Sequence, residues 1–324
     1  MKTGKELILA TKPFAHEIRW KSWYYSLTTL FLLVLFIVGT FLHIHPALRI
    51  LSSLGTGFLL SRMFVIYHDY AHHAILHRSF AAKIIFSAFG IFILAPRSIW
   101  KRSHDYHHAN NSKLFSASIG SYPIFSKQKF LSASKSERRE YLAVRHPLNM
   151  LFGYFTLFAY GMCYLSFTSS PRRHYDSLIA LILHVVYIAA VIYFFGWITW
   201  LLAILIPFSV ACGFGAYLFY AQHNFPEARF KNNIEWSYEH AALESSSYMK
   251  MNPFWQWVTA NIGFHHIHHM NAKIPFYRLP EVMRSIPELQ QAKITTLWPS
   301  DIIKCLRLKV WDTDKNQLVP LSDI

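Results

Sequence analysis

Carboxylates are scarce in this chain: 17 Asp and Glu stand among 324 residues, against 32 Lys and Arg, for a formal charge of +15. Charged residues of both signs make up only 15%, while 53% are hydrophobic and 17% aromatic. That balance points away from two soluble domains and toward one lipid-embedded unit in which the bilayer replaces most of a soluble core. Three cysteines, Cys163, Cys212 and Cys305, are too few and too scattered for a disulfide framework or a CxxC metal site, and are expected to be packing residues. No nucleic-acid motif accompanies the basic charge, so no nucleic-acid partner is expected, and anionic lipid headgroups account for it more simply. The opening stretch MKTGKELILATKPFAHEIRWKSW lacks a short apolar core followed by a small-residue cleavage site. The first helix is therefore expected to stay in the mature protein.

The apolar residues lie in runs. Residues 25–44 carry no charge over the length that crosses a hydrocarbon core of roughly 30 Å at about 1.5 Å per residue. A second run, 47–67, has Arg49 and Arg62 near its ends, where they can snorkel toward headgroups. Runs 178–195 and 198–220 are uncharged and are joined by Gly196-Trp197, as a helical hairpin would be. The stretch 84–95 is too short to span and is followed by Pro96, so an interfacial or re-entrant helix is expected there. The stretch 148–167 is long enough. Spanning would nevertheless put the basic Arg172-Arg173 loop and the last histidine cluster on the opposite side from the rest, so it too is expected to lie at the interface. The expectation is an all-α integral membrane fold of one domain, 1–324. It has four transmembrane helices and a cytoplasmic helical cap, about 221–324, with Lys2, Lys5, Lys12, Arg19 and Lys21 on the cytoplasmic side.

Histidine is abundant, with 19 residues, and clustered. His68-Asp69-Tyr70-Ala71-His72-His73 follows the second run; if the helix continues, His68 and His72 lie one turn apart on one face. His104-Asp105-Tyr106-His107-His108 and His265-His266-Ile267-His268-His269 share HxxHH spacing, whose i, i+3 and i+4 positions are expected to converge, and His223 stands between them. Eight or nine convergent imidazoles are too many for one tetrahedral ion, which takes about four ligands, whereas two ions with open positions would use them. Zinc has no redox chemistry, so iron suits activation of O2 better. Asp69 and Asp105 each follow the first histidine of a cluster and are expected to accept the outer ring N–H of a ligand histidine, fixing its tautomer. His16, His43, His45, His146, His174, His184 and His240 lie outside the clusters. The apolar runs contain no Asp or Glu, which argues against an ion transporter, where buried ionisable groups mark the path.

HDYAH, HDYHH, QHNF and NIGFHHIHH, in that order around two runs and a hairpin, resemble the membrane fatty acid desaturases over nearly the whole chain. The segment WVTANIGFHHIHHMNAKIPFYRLP, residues 257–280, is similar to bacterial acyl-lipid desaturases of the Δ12 or ω-6 type. The resemblance implies a non-haem centre of two iron ions. By matching motifs its ligands are His68 and His72, then His104, His107 and His108, then His223, then His265, His268 and His269. His73 is the alternative to His72. It also implies O2-dependent insertion of a cis double bond into an acyl-lipid or acyl-CoA chain in the membrane, with the metal centre on the cytoplasmic side of a bacterial inner membrane or its equivalent. No Rossmann glycine fingerprint or haem-binding extension is present, so a separate donor, a ferredoxin or a cytochrome b5-like protein, is expected to bring electrons to the basic face. The runner-up reading is a related histidine-box fatty acid hydroxylase or carotenoid ketolase or hydroxylase.

Overall fold

Apolar runs with little side-chain hydrogen bonding of their own leave the backbone to satisfy itself, and in lipid the helix does this within one segment. The computed structural model describes residues 2–42, 45–113, 122–231 and 236–324. His43 and Ile44, with which the first expected span ends, lie outside the described residues. The chain is mostly helical. It begins with α1 (Gly4–Thr11), α2 (Arg19–Phe41), α3 (Pro46–Ala71), α4 (Phe80–Phe92) and α5 (Arg97–Asn110). It divides into two compact units.

One unit comprises Glu17–Arg102 and Met150–Ala216. It holds α2 and α3, both long and apolar enough to cross a membrane, and most of a third candidate stretch, Tyr175–Ala221, of 47 residues. At about 1.5 Å per residue that stretch far exceeds a core of roughly 30 Å. It is broken at Gly196, whose φ of 80° is readily reached only without a Cβ. The Phe195 ring beside this break meets Phe41 at the end of α2, 4.9 Å between centroids. Just past it, Thr199 accepts from Arg49 near the start of α3 at 2.9 Å. The end of α2, the start of α3 and the Gly196 break therefore sit at one end of this unit. α4 and α5 bend by 91° at Leu94, which has φ 59°. The region expected as one interfacial helix is instead a short helix Pro147–Leu151, a wide π-helical stretch Tyr154–Leu165, and a last turn Ser166–Ser169. The real helices start earlier than the uncharged runs because polar and aromatic residues such as Trp20 and Lys21 can remain helical in the headgroup layer.

The other unit comprises Met1–His16, Ser103–Asn149 and Tyr217–Ile324. It contains strands that the sequence does not announce: β1 (Phe125–Ser126), β2 (Tyr248–Lys250), β3 (Ile294–Thr296), β4 (Leu308–Asp312) and β5 (Gln317–Pro320). β2 and β3 pair in parallel, and β4 pairs in parallel with β1 and antiparallel with β5. Phe130, Tyr141, Val310 and Val319 form a buried core beneath the larger sheet. The helical class thus holds, with two small sheets added.

Candidate metal centre

α5 carries a residue pattern in which positions 104, 107 and 108 fall on one side of a helix of about 3.6 residues per turn and 105 and 106 on the other. His104, His107 and His108 are buried, while Asp105 and Tyr106 are exposed. The helix His265–Met270 follows two left-handed residues, Ala260 and Asn261, and a tight approach in which Met249 N–H donates to the Gly263 carbonyl at 2.8 Å. All six of its residues are buried. His223 stands in the turn after the helix Ile206–Ala221. Its neighbours hold that turn in place: the Gln222 amide donates to the Ile262 carbonyl at 2.9 Å, and the Asn224 amide to the Cys305 carbonyl at 2.7 Å.

These three elements bring seven of the expected histidines together in one unit, as two groups. In one, the Nε2 atoms of His104 and His108 lie 3.1 Å apart and those of His108 and His268 3.0 Å apart. In the other, the Nε2 separations are 3.2 Å for His107 and His269, 3.1 Å for His269 and His265, and 2.9 Å for His265 and His223. Within each group the ligand atoms are all within 4.8 Å of one another. The expected convergence of i, i+3 and i+4 is thereby corrected. Each HxxHH box gives its i, i+4 pair to one group and its i+3 member to the other, because residues adjacent on a helix point about 100° apart.

The remaining expected ligands, His68 and His72, belong to the other unit, at the end of α3. Both are buried, with ring centroids 4.6 Å apart. His73 turns off the helix with φ 58° and its ring meets His77 instead, so His72 is the residue that shares a face with His68. Asp69, also buried, places a carboxylate oxygen 3.3 Å from His68 Nδ1. Asp105 is exposed, on the outer face of α5.

The donor set in the two groups is imidazole alone. Burial pushes the His223 ring down to about 4 although it keeps some exposure, and holds His269 well below the ordinary histidine value, helped by four neighbouring histidines. Neutral rings with free lone pairs result. His223 donates from Nδ1 to the Ser245 carbonyl at 3.0 Å, which leaves Nε2 as the lone-pair nitrogen. Two nitrogens bound about 2.1 Å from one ion at a right angle stand about 3.0 Å apart, so the separations above fit a metal ion in each group. The adjacent His266 is turned elsewhere. It is fully buried, and its Nε2 donates to the Leu289 carbonyl at 3.1 Å. Sequence reasoning missed the Ser245 carbonyl, since any residue type supplies one. It also missed a cavity of about 40 Å³ beside His107 and His223, lined also by Tyr122, Arg145 and Asn224. Only the polar residues flanking His223 hinted that this turn is closely held.

The sequence model of the fatty acid desaturase family matches residues 43–300. A fatty acid desaturase of Bacillus subtilis is 29% identical over 282 residues, 85% of this chain and 77% of its own length. A chloroplastic omega-6 fatty acid desaturase of spinach is 24% identical over 72% of this chain, which spans only 52% of the spinach protein. A Delta(12)-oleate desaturase of Trichosanthes kirilowii is 25% identical over 71% of this chain and 66% of its own. Candidate spans, paired histidine groups and likeness over most of the length converge, and the chain belongs to the fatty acid desaturase family of integral membrane, O2-dependent oxidoreductases.

Proposed function

We propose that the chain inserts a cis double bond into the acyl chain of a lipid or acyl-CoA, using two non-haem iron ions held by nine histidines. These are His68, His72, His104, His107, His108, His223, His265, His268 and His269. The observation that carries the reading is the pair of all-imidazole groups, His104, His108 and His268 beside His107, His223, His265 and His269. The reaction removes two hydrogens from adjacent methylenes and reduces one O2, with two electrons and two protons from outside, to two waters. When bound, iron supplies the redox chemistry that an unactivated C–H bond requires.

The residues of the chain act in three ways. Burial keeps the imidazole donor set away from bulk water. Ser245, through its carbonyl, and Asp69, through its carboxylate, fix the tautomers of His223 and His68. The apolar segments admit an acyl chain from the membrane and hold it so that one C–H bond faces the metals. The basic segments around Lys2, Lys5, Lys12 and Arg172-Arg173 support a cytoplasmic position for the centre by the positive-inside rule. There a ferredoxin or cytochrome b5-like donor, acidic on its docking face, brings the electrons.

The test is the fatty acid profile of a host that expresses the chain together with a compatible donor, beside His104→Ala and His268→Ala, with iron measured in the purified proteins. New unsaturated chains that disappear in both variants along with iron are expected. Products that gain an oxygen instead of losing two hydrogens would replace this reading with the hydroxylase.

A further inference from the structure

Three serines in a row, Ser245, Ser246 and Ser247, are fully buried, and each is hydrogen-bonded to a different part of the histidine-bearing unit. Buried polar groups are costly unless they are bonded, and packing by itself does not require them, since apolar groups of the same shape serve about as well. The Ser245 carbonyl accepts from His223 Nδ1 at 3.0 Å. One residue on, the Ser246 hydroxyl accepts from the Asn111 side-chain amide at 3.0 Å, and the same amide also donates to the Ala241 carbonyl at 3.2 Å. Ser247 N–H donates to the Gln222 carbonyl at 3.0 Å, and its hydroxyl pairs with that of Thr295 on β3 at 2.9 Å. Met249 N–H then reaches the Gly263 carbonyl, two positions before His265. Asn111 itself stands one helical turn beyond His107, just past the end of α5. Residues 245–249 therefore meet all three elements that supply the group of His107, His223, His265 and His269.

We propose that Asn111 and Ser246 are positioning residues for this metal group. They tie the end of α5 to the segment that already holds the His223 turn, and so set the spacing of the His107 and His223 rings, whose centroids are 4.7 Å apart. Only the NH2 end of the Asn111 amide can face the Ala241 carbonyl, so its orientation is fixed, and a buried network in which every member is satisfied holds one arrangement. The inference rests on the metal-binding reading above and adds to it a pair that makes no hydrogen bond to a ligand ring. His223 serves one group only, whereas α5 and the His265–Met270 helix serve both. Loosening the link between Asn111 and Ser246 therefore falls on the group that contains His223, while His104, His108 and His268 are placed by the two helices alone.

The experiment titrates Co2+ into purified full-length protein stripped of metal by chelation, and reads binding and visible absorption, which reports coordination geometry. Wild type is expected to take up two ions. In Ser246→Ala, Asn111→Ala and the double variant, one ion is expected to bind as in wild type and the other about tenfold more weakly or worse, with altered absorption. The double variant is expected to be no weaker than Asn111→Ala, because the two residues act through one contact. Lower thermal stability with an unchanged isotherm and spectrum overturns the proposal, as do additive losses in the double variant. Ser246→Ala removes one oxygen and leaves Asn111 bonded to the Ala241 carbonyl, so it decides the matter alone where Asn111→Ala does not fold. Wild type that takes up fewer than two ions overturns the metal-binding reading and this inference with it; wild type that takes up two beside an unchanged Ser246→Ala overturns this inference only.

Discussion

His223 donates its Nδ1 proton to the backbone carbonyl of Ser245, 3.0 Å away, and so presents its other nitrogen, Nε2, to the group formed with His265, His269 and His107. That hydrogen bond favours this orientation of the ring with or without a metal ion. The site is in this sense set before any ion arrives.

Removing that ring tests its part in the group. His223→Ala takes one of four imidazoles from the second group and leaves His104, His108 and His268 untouched. Iron is expected to fall from about two per chain toward one, with activity reduced by at least 100-fold; elemental analysis with a turnover assay checks both. Full iron content would sink the assignment of His223 as a ligand.

Asp69→Asn tests a subtler effect. The carboxylate faces His68 Nδ1 at 3.3 Å, and loss of such an outer partner lowers metal affinity or activity about 10–100-fold. A chelator competition series on wild type and variant measures it. Unchanged retention of iron would mean that the carboxylate serves packing alone.

The metal-free protein is expected to lose stability in acid. Burial pushes His266 down to about 3 and His223 to about 4, and lowers His269 well below its ordinary 6.5. Between those folded values and the ordinary one, the unfolded chain binds more protons, so stability rises with pH in that window and drains away as pH falls below about 6.5. Each fully shifted group contributes a slope of about 1.4 kcal/mol per pH unit. Thermal midpoints of chelator-treated protein at about pH 7 and pH 5 read the effect, and His266→Gln is expected to make the fall shallower. Equal midpoints at the two values would contradict it.

Gly263 lies where the chain enters the third histidine box. A Cβ there would come within 2.5 Å of the Met249 carbonyl oxygen, a backbone atom that is itself tied into β2. Gly263→Ala therefore has to shift the start of the His265–Met270 helix. A destabilisation of about 1–3 kcal/mol is expected, together with reduced iron content, from denaturant unfolding and metal analysis. A variant with wild-type stability and iron would show that the approach can relax.

Much of this protein was legible along the chain. The apolar runs gave α2, α3 and the two halves of Tyr175–Ala221, since a span in lipid is a local property of length and polarity. The histidine boxes announced the site because their spacing matches the helical repeat and helices carry them. The short strands of the histidine-bearing unit were not legible. β1 has two residues and β2 three, too few for a period, and their partners β4 and β3 lie far along the sequence. The division of each box between two groups was hidden as well: HxxHH states that three rings lie on one side of a helix, but only the placement of α5, the 223 turn and the His265–Met270 helix decides which ring meets which. The Ser245 carbonyl and the Arg145 cavity were likewise decided by tertiary structure alone, because a backbone oxygen has no letter in the sequence and a buried arginine reads there like any other basic residue.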